Sequence, residues 1–223
     1  MNSLPAAIPE RCMLCYETSF SEMKNIYYIV LLLIFLSTGC NRQANIDKEL
    51  LGFNNITKYF IREIPTNPRG KIDAFFASTK EKQKLLGLES LENGFDGLQI
   101  RIWFDVVNID KQKLVNITYK NLIWTTTVYD LITKTKRILI PKSGWINLSN
   151  NLLNLKILTL PNGDEILNCG GGGGDGSTYN IEIATINHYR YYSYWEPQLY
   201  TQTCWLAKNI KEVLSLITKE FVL

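Results

Sequence analysis

Chemistry in this sequence would have to come from a few residues. The stretch Cys169-Gly170-Gly171-Gly172-Gly173-Gly174-Asp175-Gly176-Ser177 is the kind of glycine-rich run whose backbone amides can cradle a phosphate. Its surroundings argue against that use. A P-loop needs Gly-Lys-Ser/Thr opening a helix, and a dinucleotide loop runs from a parallel strand into a helix, whereas Asp175-Gly176 leads into a strand pattern. A calcium-binding glycine repeat would come in several copies, with a bulky apolar residue after the aspartate; here there is one copy without it. The run reads as a surface loop. His188 is the single histidine, so multi-histidine metal sites are excluded, and its place in a hairpin turn reads as an exposed polar residue. Nothing in the spacing recommends it as a base for Cys169 or Cys204. The carboxylates Asp96, Asp105, Asp175, Glu182 and Glu196 are scattered, and the sequence alone does not say whether any two converge as an acid/base pair. No catalytic, cofactor-binding or metal-binding residue is assigned; an enzyme is unsupported, not excluded.

With 223 residues, 46% hydrophobic and 20% charged, the chain has the composition of one folded domain with a real core. The net charge of +3 is spread thinly, and no run of lysine or arginine could neutralise a row of phosphates, so nucleic acid is not an expected partner.

The segment from Ile26 to Leu36 is continuously apolar but about half the ~20 residues a membrane-spanning helix needs. Lys24 precedes it and Ser37-Thr38-Gly39 follow, which gives the charged start, apolar middle and small-residue end of a secretory signal. The closing Leu36-Ser37-Thr38-Gly39-Cys40 resembles the lipobox of bacterial lipoproteins. That resemblance implies a diacylglycerol on the Cys40 thiol and cleavage just before it by signal peptidase II. Asn41 in place of aspartate implies, by the sorting rule of enteric lipoproteins, transport to an outer membrane in preference to the inner one. Two or three acyl chains would anchor the protein firmly, where a single chain binds marginally. Glu10, Glu17 and Glu22 sit badly in a region that should be short and basic, so translation is expected to start at Met23. Residues 1–22, with the pair Cys12 and Cys15, then lie upstream of the start, and residues 23–39 are the signal peptide.

With Cys40 taken by lipid, Cys169 and Cys204 are the remaining thiols in an oxidising compartment, and they are expected to form a disulfide. The alternative is two separate buried thiols. Closing a loop of some 35 residues would add roughly 3 to 4 kcal/mol in the chain-entropy model.

These residues need elements to position them. From 40 to about 93, polar sequence with breakers at Pro65, Pro68 and Gly70 reads as a lipidated tether with short helices, one of which Leu85, Leu86, Leu88 and Leu91 would dock on the domain. Residues 94–223 form the domain. Leu98, Ile100, Ile102, Phe104 and Val106 share one face of a strand. Strands at 114–120 and 123–131 continue it as an antiparallel meander. Trp145, Leu148, Leu152 and Leu155 mark an amphipathic helix with Ser143 as its N-cap. A second β-pair, 179–185 and 189–195, ends at Glu196-Pro197, and Ile210, Val213, Leu214, Ile217 and Phe221 stripe a closing helix. The fold class is α+β: an antiparallel sheet, meander plus second β-pair, packed against two amphipathic helices.

The second β-pair is aromatic on both faces, with Tyr189, Tyr191 and Trp195 on one and Tyr192 and Tyr194 on the other. One face is core. The other either lies under a helix or is presented outward, where Tyr192, Tyr194 and Trp195 become candidate partner-binding aromatics suited to a glycan or a protein. Asp175 to Ile183 followed by Tyr189 to Pro197 resembles uncharacterised bacterial lipoproteins that pair an Asp-Gly strand with an aromatic strand and a closing helix. The resemblance implies an α+β domain and brings no catalytic residues. The expected protein is lipid-anchored in the cell envelope, its domain in the periplasm or at the cell surface, needing no cofactor, and working by binding instead of catalysis. The alternatives are an immunity or inhibitor lipoprotein that neutralises a toxin, and a periplasmic hydrolase.

Overall fold

β-Branched and aromatic residues alternate along the chain from Leu98, and in the computed structural model they build one mixed sheet. The structure describes residues 59–66, 73–106, 111–166, 169 and 175–223; these belong to one compact unit spanning 46–223. Met23, Cys12, Cys15, Cys40 and the glycine run 170–174 lie outside the described residues.

The strands are β1 (Ile61–Glu63), β2 (Leu98–Asp105), β3 (Lys113–Lys120), β4 (Ile123–Asp130), β5 (Lys136–Ile138), β6 (Thr178–Ala184) and β7 (His188–Trp195). They form a seven-stranded sheet in the order β1-β7-β6-β2-β3-β4-β5. β2 to β5 make the meander, and β6 returns to pair antiparallel with β2, Ile102 opposite Ile181. β7 pairs with β6, and β1 adds a parallel partner to β7 with Ile61 opposite His188. The fold is α+β, but the sheet is mixed where an antiparallel one was expected. The parallel strand is three residues long, too short to leave an alternation in the sequence. Gly97, at φ +130°, turns the chain into β2, and a Cβ there would collide with the Tyr119 carbonyl.

Three helices accompany the sheet: α1 (Ala74–Leu85), α2 (Trp145–Asn154) and α3 (Trp205–Phe221). One face of the sheet carries Leu98, Ile100, Ile102, Val115, Ile117, Ile181, Ile183, Tyr192 and Tyr194. Against it pack Leu148 and Leu152 of α2, Ile157, Leu158 and Leu160 of the following segment, and Ile210, Val213 and Ile217 of α3. α2 is not capped by Ser143: Gly144 is its N-cap at φ +81°, and the Ser143 amide donates to Glu220 Oε2 at 2.8 Å. α3 is capped by Cys204, whose Sγ accepts from the Ala207 amide at 3.3 Å. That cysteine is joined to Cys169, with Cα atoms 5.1 Å apart.

The opposite face is covered in part by α1. Asp73 caps this helix by accepting from the Phe75 and Phe76 amides. It buries Phe76, Thr79 and Gln83, one to two turns apart, while Leu85 is exposed and Leu91 packs from the loop beyond. The folded unit therefore takes in β1 and α1, chain that the sequence reading assigns to the tether, and the docking residues are Phe76, Thr79 and Gln83, not Leu85.

Candidate functional site

Three places gather functional groups. The first lies between α1 and the sheet. Period-2 alternation puts Arg101 and Trp103 of β2, Glu182 of β6 and Tyr189 of β7 on the face away from the main core, in adjacent strands. Arg101 and Glu182 are directly opposite each other. Glu182 is fully buried and fully used. Its Oε1 accepts from Lys80 Nζ at 3.0 Å and from Tyr189 OH at 2.9 Å, and its Oε2 accepts from Trp103 Nε1 at 2.9 Å. Arg101 Nη1 lies 3.9 Å from Oε2, and the Arg101 Nε and Nη1 atoms have no hydrogen-bond partner.

Lys80 reaches this carboxylate from α1. It also bonds Gln83 Oε1 at 2.9 Å and Glu92 Oε1 at 3.2 Å, and its ammonium lies 5.1 Å from the Phe76 ring and 5.3 Å from the Tyr189 ring. Burial lowers the Lys80 pKa and the Glu182 charge partly restores it. Burial, with the adjacent Glu182 charge, drives the Tyr189 hydroxyl well above its ordinary range. A carboxylate with three donors and no access to solvent is a structural anchor: it holds α1 to the sheet and offers a substrate no approach.

The second place is a cavity of about 300 Å3 at the β1 edge, lined by Arg62, Glu63, Ile64, Pro65, Asn162, Glu165, Arg190 and Tyr191. Most of its polar groups are already engaged. Glu63 binds His188 Nε2 at 3.2 Å and Arg190 Nε at 2.9 Å, Arg62 pairs with Glu92, and Asn162 Oδ1 accepts from the Ser193 amide at 2.8 Å. His188 is thus buried under β1, not exposed in a turn, and burial lowers its pKa against the opposing pull of Glu63. The sequence could not show this, because the strand that covers His188 comes from residues 61–63.

The third place is the far end of the sheet. Ile123, Ile138 and Ile140 are 63%, 80% and 75% exposed, with Leu122 beside them at the β3–β4 turn.

The residues singled out in the sequence end up apart. Tyr192 and Tyr194 are core, not partner-binding: both are almost fully buried, and their hydroxyls donate to the Ile157 and Pro161 carbonyls at 2.7 and 2.9 Å. Trp195 is half-buried, stacked so closely over Gly176 that a Cβ there would strike its ring. Asp96 pairs with Lys120 at 3.0 Å, Asp105 with Lys82, and Glu196 accepts from the Ser177 amide. None of these joins Glu182 in an acid/base pair. The signal that sequence reasoning missed was the polar run Gln99, Arg101, Trp103 and Asp105 interleaved with the apolar face of β2, which the structure buries almost as deeply as its partner face. Among the described residues no group of His, Cys, Asp or Glu could hold a metal ion, and no helix is long and apolar enough to cross a membrane.

These features define an α+β protein with a seven-stranded mixed sheet, one charge-sealed face and one bare sheet end. Compared with known proteins, the chain matches no family, no curated protein and no solved structure.

Proposed function

We propose that this chain is a bacterial lipoprotein held in the cell envelope through Cys40, and that its folded unit works there by binding a macromolecular partner. The observation that carries the binding reading is the bare sheet end. Aliphatic side chains as exposed as Ile123, Ile138 and Ile140 lose about 1.5 to 3 kcal/mol each of available burial energy while they face water, and clustered apolar exposure marks interaction surfaces. The sealed Glu182 network supports the same reading, since the densest set of ionisable groups is spent on holding α1. The anchoring half rests on the leader and its resemblance to a lipobox. A toxin neutralised by an immunity or inhibitor lipoprotein is one form such a partner takes.

A periplasmic hydrolase is the second reading, favoured by the cavity lined by Glu63 and Glu165. It ranks lower because both oxygens of Glu63 are committed to His188 and Arg190, which leaves Glu165 without a second carboxylate free to share the work.

The test has two arms. Metabolic labelling with palmitate should mark the wild type and fail in Cys40→Ala, and labelling that survives the substitution removes the anchor. A photo-crosslinking side chain at position 125 or 138 should capture one envelope partner, and absence of cross-links together with turnover of a cell-wall or glycan substrate would favour the hydrolase.

A further inference from the structure

The edge of β5 carries more information than its exposure. Asp130 N donates to Thr135 O at 2.9 Å and Leu139 N donates to Thr126 O at 3.1 Å. In an antiparallel ladder this alternation turns the backbone groups of residues 135, 137 and 139 toward β4 and those of 136, 138 and 140 away from it. The sheet ends there: β5 is the last strand in the order, and nothing among the described residues pairs with its outer side. Proteins usually protect such an edge by covering it or twisting it away. Here the outward-turned positions Ile138 and Ile140 are instead the most exposed isoleucines of the described chain.

The charge around the edge has one sign. From Leu131 to Lys142 the sequence holds Lys134, Lys136, Arg137 and Lys142 and no carboxylate. All four cations are exposed, and none has an ion-pair partner among the described residues. The nearest acid, Asp130, is already paired with Lys113 at 2.9 Å. Pairing with β5 of a second copy would set these cations against one another, which is unfavourable for like charges across a ladder. An incoming strand with carboxylates would meet them with the opposite sign.

We propose that the free edge of β5 takes an acidic, extended segment of a partner protein as an added antiparallel strand. The backbone of residues 136, 138 and 140 supplies the ladder, Ile138 and Ile140 pack the apolar side chains of the segment on one face, and Arg137, on the opposite face, meets its carboxylates, with Lys136 adding positive charge at the edge. The proposal rests on the binding reading above and names the chemistry of the partner.

The test uses the full-length chain in detergent micelles and a fluorescein-labelled seven-residue peptide of alternating valine and glutamate. Two controls are a peptide with lysine for glutamate and the acidic peptide with alternate backbone amides N-methylated. The acidic peptide should bind about ten-fold more tightly than the lysine peptide, more weakly as salt rises, and not at all when methylated. The double substitution Lys136→Glu with Arg137→Glu changes two exposed, unpaired side chains and should reverse the preference; an unchanged circular dichroism spectrum shows that it folds. Equal binding of both peptides, binding that survives methylation, or occupation of the edge by a second copy or by short-chain phosphatidylglycerol in place of the peptide, overturns the proposal. Cross-links at position 138 without peptide binding would remove this mode and leave the binding reading standing. Failure of both removes both.

Discussion

Replacing Glu182 with glutamine keeps the shape of the side chain and removes the charge that opposes Lys80 and Arg101. The amide oxygen can still accept from Lys80 and Tyr189, as Oε1 does now, but the new NH2 then faces the Trp103 Nε1–H, donor against donor. Removing one partner from a buried ion pair costs about 3 to 5 kcal/mol, because the other charge is left uncompensated. Lys80 retains some solvent contact and the neighbouring Glu92, so the lower half of that range is expected. This is a large fraction of the 5–15 kcal/mol that keeps an ordinary domain folded. Urea is the right denaturant, since guanidinium salt would screen the effect under study. Far-ultraviolet circular dichroism and tryptophan fluorescence should shift together to a lower midpoint. Lys80→Met alone should also destabilise, and the double variant should lose clearly less than the sum of the two. A loss below about 1 kcal/mol for Glu182→Gln, or a strictly additive pair, would refute the view that this network pins α1 to the sheet.

Reduction of the disulfide, or Cys169→Ser, should lower stability by roughly 3 to 4 kcal/mol; thiol titration of the unfolded, non-reduced protein must find neither Cys169 nor Cys204 free. Tyr189, Tyr191, Tyr192 and Tyr194 are all held protonated well above their ordinary range, chiefly by burial. Unfolded tyrosines ionise near pH 10, so stability is intact below that value and is lost as pH rises beyond it, at about 1.4 kcal/mol per pH unit per tyrosine. Absorbance at 295 nm should therefore show these phenols ionising in one cooperative step with unfolding near pH 11, and independent titration at pH 10 with native dichroism would count against their burial. Gly97→Ala should cost roughly 2 to 3 kcal/mol, from the positive φ and the clash with the Tyr119 carbonyl. Gly144→Ala, at positive φ in open space, should cost about 1 kcal/mol.

Much of the sheet was legible because a core leaves a period in the sequence. The alternation Leu98, Ile100, Ile102, Phe104 gave β2, and the paired runs before Asn187 and after His188 gave β6 and β7. The stripe Ile210, Val213, Leu214, Ile217, Phe221 is buried in α3 as expected. The Cys169–Cys204 disulfide is present as expected, in place of the alternative of two separate buried thiols, which spacing alone could not decide. What failed was the reading of the second face. Alternation says that Glu182 and Tyr189 share a face, but not that a helix carrying three lysines and one glutamine would cover it. α1 docks through Phe76, Thr79, Lys80 and Gln83, three of which are polar, so its buried side carries hardly any apolar signal. Tyr192 and Tyr194 were ambiguous for a related reason: tyrosine suits a wet surface and a hydrogen-bonded interior equally well, and only the carbonyls of Ile157 and Pro161 decide the matter. The bare end of the sheet was visible only as a cationic run with two isoleucines.

The parallel pairing of β1 with β7 bears on how the chain is made. Ile61 finds its neighbour His188 more than a hundred residues later, and β2 gains its second neighbour only when β6 arrives. Contacts of such long range are slow to form, because loop closure must precede any reward. Until the last third has been synthesised, the meander stands with one side of β2 unmet and α1 has no Glu182 to grip. A polypeptide unable to fold early remains threadable through a translocation pore, which would suit the export proposed above, and the Cys169–Cys204 bond can then lock the finished sheet.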